Sequence, residues 1–227
     1  MYANASIISI SNDGWDRLRW CRVERCPKLY TVFPVPQHSE YTFRGLHTFW
    51  ASQLLSACYI WNMPVQVYFS NLNFLHLDHC PMLVHVLPLC LGYWTGLSGL
   101  ETLEIVYCAD LTEVLIRLSP ELQEQDEIKE FRELRRIHLH ELPMLQRICG
   151  RRIFAPKLET IKIRGCWSLG RLPAVGHNTK PPKVDCEKEW WDNLEWDGLE
   201  ENHHPSLYEP THSLYCKAQL PRGIVLR

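Results

Sequence analysis

No stretch of this sequence approaches the ~20 consecutive apolar residues that a membrane-spanning helix needs. The best candidate, Met82 to Leu91, is short and is interrupted by His85 and Pro88. An excess of charge of one sign is also missing. Lys plus Arg number 24 and Asp plus Glu 26, for a net charge of −2. Neither nucleic acid nor an anionic membrane would be held by bulk charge, so any electrostatic attraction has to come from a local patch. The opening residues, MYANASIISISNDGW, carry no basic residue ahead of their apolar stretch. A secretory signal is therefore not expected, and a cytoplasmic location is. Without such a signal the ten cysteines are expected to be free thiols rather than a disulfide scaffold. No G-x-S-x-G elbow occurs and the serines fall in turns, so nothing points to an activated nucleophile. What is left is an ordinary globular balance, 46% apolar and 22% charged over 227 residues, which excludes wholesale disorder.

The sequence is rich in repetition. One template recurs, L-x-x-L-x-L-x-x-C-x-x-L-x-x-L. Its first copy is Leu18, Cys21, Val23, Cys26, Leu29 and Val32, and its second is Leu72, Leu75, Leu77, Cys80, Leu83 and Val86. The third is Leu100, Leu103, Ile105, Cys108, Leu111 and Val114, and the fourth Leu134, Ile137, Leu139, Leu142, Leu145 and Ile148. The fifth is Leu158, Ile161, Ile163, Cys166, Leu169 and Leu172, and a degenerate sixth keeps Val184 and Cys186. The L-x-L core is a short strand whose two apolar side chains point the same way, because side chains alternate along a strand. One such unit cannot bury its apolar face alone, whereas stacked units bury a continuous core and build a parallel sheet. The expected fold is α/β: a leucine-rich repeat solenoid with a short-stranded parallel concave sheet and an irregular or helical convex side. Repeats occupy 1–183, and 184–227 supplies the last strand and a C-terminal cap or tail.

Turn positions 26, 80, 108, 142 and 166 are 54, 28, 34 and 24 residues apart. Leucine-rich units run about 20–29 residues, so the first interval is two units long. Leu46, Trp50, Leu54, Ala57 and Trp61 recur there at helical spacing, which predicts an inserted amphipathic helix over about 43–61. That helix would interrupt the sheet before Leu72. The long fourth unit carries an acidic insertion, about 119–130, whose Ser-Pro-acid opening predicts a short exposed helix. Cys26, Cys80, Cys108 and Cys166 all fall at the turn, where a small, weakly polar group fits a tight buried bend.

Phrases such as LETLEIVYCADL, LRRIHLHELPMLQRI and LETIKIRGCWSLGRLP resemble the C-terminal leucine-rich repeat region of plant intracellular disease-resistance receptors of the nucleotide-binding type. The tail CEKEWWDNLEWDGLEENHHPSLYEPTHS is similar to the end of such receptors from grasses. The resemblance implies a non-enzymatic recognition module in plant defence. It would sense a pathogen effector or a guarded host protein, or dock on a nucleotide-binding ATPase module. That module needs a G-x-x-x-x-G-K-[ST] loop, and no Gly-Lys pair occurs in this sequence, so nucleotide binding is not carried over. The expectation is therefore no catalytic residue, no cofactor, no metal and no nucleic acid.

Residues between the buried strand positions should face the concave side and vary between repeats: Arg22, His76, Glu104, His138, Lys162 and Asp185 in one row, and Glu24, Asp78, Val106, His140, Arg164 and Glu187 in the next. The predicted protein-contact set is Arg22, His76, Glu104, Arg136, His138, His140, Lys162 and Arg164. Charge is unevenly spread. Arg147 to Lys183 holds nine basic residues against Glu159, and Val184 to Glu201 holds eight acids against Lys188. The two blocks either offer a basic docking face for an acidic partner or neutralise each other within the solenoid. Trp190, Trp191 and Trp196 are expected to cover the open end of the sheet. Two zinc arrangements, His76 with His138 and His140, and His203 with His204, His212 and Cys216, lack recurrent ligand spacing. Two competing functions are a ubiquitin-ligase substrate adaptor, for which residues 1–17 are too short to form the required helical docking motif, and a hydrolase on a repeat scaffold, which needs a convergent acid, base or metal cluster.

Overall fold

The computed structural model describes residues 17–34, 45–62, 71–89, 97–117, 128–150, 152–176 and 180–212. The L-x-L segments form an eight-stranded, fully parallel sheet: β1 (Trp20–Glu24), β3 (Thr48–Ser52), β5 (Phe74–Asp78), β7 (Thr102–Val106), β10 (Arg136–His140), β13 (Thr160–Arg164), β14 (Lys183–Asp185) and β15 (Glu209–Thr211), in that spatial order. The register matches the template, with Leu75 beside Leu103, Leu103 beside Ile137 and Ile137 beside Ile161. Phe49, Leu75, Leu77, Ile105, Leu139, Ile161, Ile163 and Val184 are fully buried. Each large side chain so buried contributes roughly 1.5–3 kcal/mol of apolar burial, which is why the frame is the same in every coil.

The return path is a second parallel sheet, where the sequence predicts irregular or helical structure. It holds β2 (Thr31–Pro34), β4 (Tyr59–Asn62), β6 (His85–Leu89), β8 (Glu113–Arg117) and β11 (Arg147–Cys149). Two short strands, β9 (Lys129–Glu130) and β12 (Ile153–Phe154), pair separately. Helix among the described residues comes to α1 (Lys188–Asp192), a 3-10 turn at Pro205–Leu207 and a 3-10 residue at Leu97. A helical convex side does not form. The stretch that a helix would occupy is spent on the strands of this second sheet, each paired to the same stretch of the neighbouring coil.

The predicted helix over 43–61 is also replaced, by β3 and β4. β3 pairs with β1 on one side and β5 on the other, so the large sheet runs uninterrupted from Trp20. A helix here would have left two strand edges unpaired in mid-sheet, the cost that stacking removes. Most of the predicted acidic helix, 118–127, lies outside the described residues; its far end, Lys129–Glu130, is strand. Beyond β14 the chain returns to add β15, with Lys183 beside Glu209 and Asp185 beside Thr211. Val184–Cys186 is thus not the last strand.

A bend of fixed chemistry follows each large-sheet strand. Arg25, Gln53, His79, Tyr107 and Glu141 take positive φ, as does Gly165 at +64°. Their amides donate to the carbonyl ending the next strand: Arg25 to Ser52, Gln53 to Asp78, His79 to Val106, Tyr107 to His140 and Glu141 to Arg164, at 2.8–3.0 Å. Next comes a four-residue turn closed from the fourth amide to the first carbonyl, as in Leu83 to Cys80 and Leu145 to Leu142, both 3.2 Å. Pro27, Pro81 and Pro143 hold its second position, which the fixed φ of proline favours. The turn cysteines are free thiols, and they donate back to the carbonyl two residues earlier: Cys26 to Glu24, Cys80 to Asp78, Cys108 to Val106 and Cys166 to Arg164, at 3.3–3.6 Å. Burial pushes the Cys166 thiol up to about 12, so it stays protonated and acts as a small core residue.

Candidate recognition face

The outward side of the large sheet is a grid three side chains wide. One row reads Trp20, Thr48, Phe74, Thr102, Arg136, Thr160, Lys183. The middle row reads Arg22, Trp50, His76, Glu104, His138, Lys162, Asp185. The third reads Glu24, Ser52, Asp78, Val106, His140, Arg164. Register pairs place each residue beside its counterpart on the next strand. Neighbouring strands lie ~4.8 Å apart, so side chains in a row touch.

The middle row makes a continuous chain of contacts through its first five members. The Arg22 guanidinium lies 5.4 Å from the Trp50 ring centre, and its Nη2 also meets Glu24 at 2.5 Å. Trp50 stacks on His76 at 3.6 Å between ring centres. His76 Nδ1 lies 3.1 Å from Glu104 Oε2, and His138 Nδ1 lies 3.1 Å from Glu104 Oε1. One carboxylate thus sits between two imidazoles, hydrogen-bonded to His138 and close to His76. Among the described residues, no group of three or more His, Cys, Asp or Glu side chains is placed to hold a metal ion. Of the second zinc arrangement, His203 is buried, His204 accepts from the Ser206 amide, and Cys216 lies outside the described residues.

The eight predicted contact residues share this face but differ in availability. His76 is only 7% exposed, covered by Trp50 and Glu104, so it supports the face more than it meets a partner. The Arg164 side chain is 12% exposed and ion-paired with Asp185. His140 packs against the Tyr107 ring, and burial, opposed by Glu141, holds its pKa below the ordinary imidazole value. Arg136 is exposed and its Nε donates to Thr102 Oγ1 at 3.0 Å. Lys162 is exposed and, among the described residues, reaches no carboxylate. The sequence reading missed Trp20, Trp50, Phe74 and Lys183, all of which the register puts on the same grid. Trp20 is 57% exposed.

Away from the grid, the two charge blocks pair with each other. Arg171 meets Asp197 and Glu195, and Arg152 meets Asp197 and Glu201. On the grid itself, Arg164 meets Asp185. The Arg152 and Arg171 pairs border a cavity of about 680 Å³ lined by Arg147, Arg152, Arg171, Asp197 and His203 among others. Its charges are matched from within, so the internal-neutralisation reading holds for these arginines and the docking reading does not.

The profile of the family described as plant disease resistance protein RPS2-like, leucine-rich repeats, matches residues 51–175. Among curated proteins, the chain is similar to the probable disease resistance protein At5g63020 of Arabidopsis thaliana. The two are 28% identical over 134 residues, which cover 57% of this chain and 14% of that protein. The chain thus spans about one seventh of that relative's length. No solved structure matches it.

Proposed function

Since the chain belongs to the plant disease resistance protein RPS2-like leucine-rich repeat family, we propose that it recognises proteins in plant defence through the outward face of its large sheet. The observation that carries the proposal is the contrast between two sets of residues on the same strands. The inward set is fixed as buried aliphatic and aromatic groups, while the outward set changes in charge and shape from coil to coil. A rigid frame with varied, solvent-facing side chains is how stacked repeats read a partner. The natural partner is a pathogen-derived protein, a guarded host protein, or a nucleotide-binding module elsewhere in a longer receptor. The face does its work by binding alone, with no catalytic step, and the free turn thiols suit a reducing, cytoplasmic location. Tail phrases such as CEKEWW fit a position at the C-terminal end of a receptor from a grass. The family match favours this reading over the ubiquitin-ligase adaptor.

Site-specific cross-linking tests it. A photo-reactive residue at Lys162, on the grid, is expected to give adducts with a defence-induced protein in challenged plant tissue. The same residue at Asp110, on the exposed turn after Cys108, is not. Adducts from position 110 and none from 162 would move recognition off the sheet.

A further inference from the structure

We infer that one corner of the recognition face is built to hold an acidic segment of the partner protein. This inference rests on the proposed function and adds the chemistry of what is recognised. Most of the basic side chains around the C-terminal coils are engaged: Arg135 with Glu159, Lys157 with Glu133, Arg164 with Asp185, and Arg152 and Arg171 with the tail acids. Three cations on adjoining strands are exposed and, among the described residues, meet no carboxylate: Arg136 on β10, Lys162 on β13 and Lys183 on β14. Thr160 stands between Arg136 and Lys183 in the same row. The nearest acids on the grid are committed, Glu104 to His76 and His138, and Asp185 to Arg164. Glu209 on the edge strand sits beside Lys183 in register and bounds the corner without pairing with it.

Spacing sets what fits. β10 and β14 are two strand steps apart, about 10 Å, and a peptide in the polyproline II conformation, rising about 3.1 Å per residue with three residues per turn, covers that distance in about three residues. Carboxylates at the first and fourth positions of such a segment lie on one face and can therefore meet Arg136 and Lys183, with the intervening backbone near Lys162 and Thr160. A single-stranded nucleic acid fits less well. The corner carries no Trp, Tyr or Phe on which a base could stack, and Trp50, at the far end, is already covered by Arg22 and His76.

The test uses the purified full chain and a fluorescein-labelled nine-residue peptide of Ser and Gly with Glu at its third and sixth positions. A control peptide carries Gln at both places, and an oligothymidylate of similar length probes the alternative. The Glu peptide is expected to bind at least ~10-fold more tightly than the Gln peptide at low ionic strength, with the difference shrinking as salt is added. Combining Arg136→Gln, Lys162→Gln and Lys183→Gln should abolish that preference, while Lys28→Gln on the turn edge should leave it intact. All three altered side chains are exposed, so an unchanged Tm shows that the fold survives. Equal binding of the two peptides, an unaffected triple variant, or tighter binding of oligothymidylate would overturn the inference. Cross-links that stay at position 162 despite such a result would leave the recognition face standing and remove only its acidic ligand.

Discussion

At the scale of the residue, the bend after each strand shows how little freedom the repeat leaves. Position 165 is the one such bend filled by glycine. Its φ of +64° suits glycine, and a Cβ there would lie 3.0 Å from the Glu141 carboxyl carbon. Its amide donates to Glu187 Oε1 at 2.9 Å, because β14 ends too early to offer the carbonyl used by the other coils. Gly165→Ala is expected to lower stability by about 1–2 kcal/mol, read from urea unfolding. His203 carries a second prediction. Burial holds its pKa below the ordinary value, opposed by the Asp197 carboxylate; the Asp197 amide donates to its Nδ1 at 3.2 Å, and Asp197 Oδ2 lies 3.3 Å from the same nitrogen. The unfolded chain therefore takes up the proton first, so this contribution to stability is complete above about pH 6.5 and is lost as the pH falls below it. For Asp197, burial alone would raise the pKa, but the hydrogen bond and charge of Arg171, with Arg152, outweigh it and hold the carboxyl below its usual range. Its contribution is lost at still lower pH, as the folded value is passed. Protection factors at the Gly198 and His203 amides, each of which donates to the other's carbonyl across this bend, should fall between pH 7 and pH 5 once the intrinsic pH dependence of exchange is divided out, and His203→Gln should flatten that response.

At the scale of the element, the most informative unit is the coil at 45–62. Leu46, Phe49, Ala51, Leu54, Ala57 and Ile60 occupy all six apolar positions of the template, and every one is fully buried. The unit was legible in the sequence. Phe for the first strand Leu, Ala for the second and Leu for the turn Cys hid it, and the same stretch happens to place apolar residues at helical spacing. Local periodicity could not choose between the two readings, because both bury one face. The unpaired edges of β1 and β5 choose, since only a strand satisfies them. If this coil is a full repeat, Phe49→Ala should cost about 3–5 kcal/mol, as a core aromatic does, and should match Leu103→Ala within the ~2–5 kcal/mol range for buried leucine. A thermal or urea transition displaced by much less would point to a peripheral insertion.

At the scale of the whole molecule, the first and last described coils differ in cover. Residues of the first coil that are fully covered in later coils, Cys21, Val23, Cys26, Leu29 and Val32, are only partly buried. The last described coil is closed by α1 and an aromatic cluster. Trp190 is buried and its indole donates to the Leu169 carbonyl at 2.8 Å. Trp191 and Trp196 pack on each other and on Tyr208, whose hydroxyl donates to the Pro173 carbonyl at 2.5 Å. Stacked repeats are stabilised mainly by their neighbours, so an end without cover frays inward. Truncation after Glu187 should therefore expose Leu169 and Cys166, speed hydrogen exchange in β13 well before β5, and promote aggregation.

The sequence by itself determined the stacked coils, the in-register apolar ladder, the turn cysteines and the row of side chains that looks outward, because a two-residue alternation inside a recurring template fixes which groups must be buried together. Tertiary structure decided the rest. Whether Arg164 or Lys162 is free depends on what stands one strand away, and Asp185 takes the first and leaves the second. Whether the two charge blocks face a partner or each other depends on how the tail folds back against the last coils. Whether residues 43–61 wind or extend depends on the strands on either side. Each of these is settled by contacts between residues more than twenty positions apart, which no local pattern records.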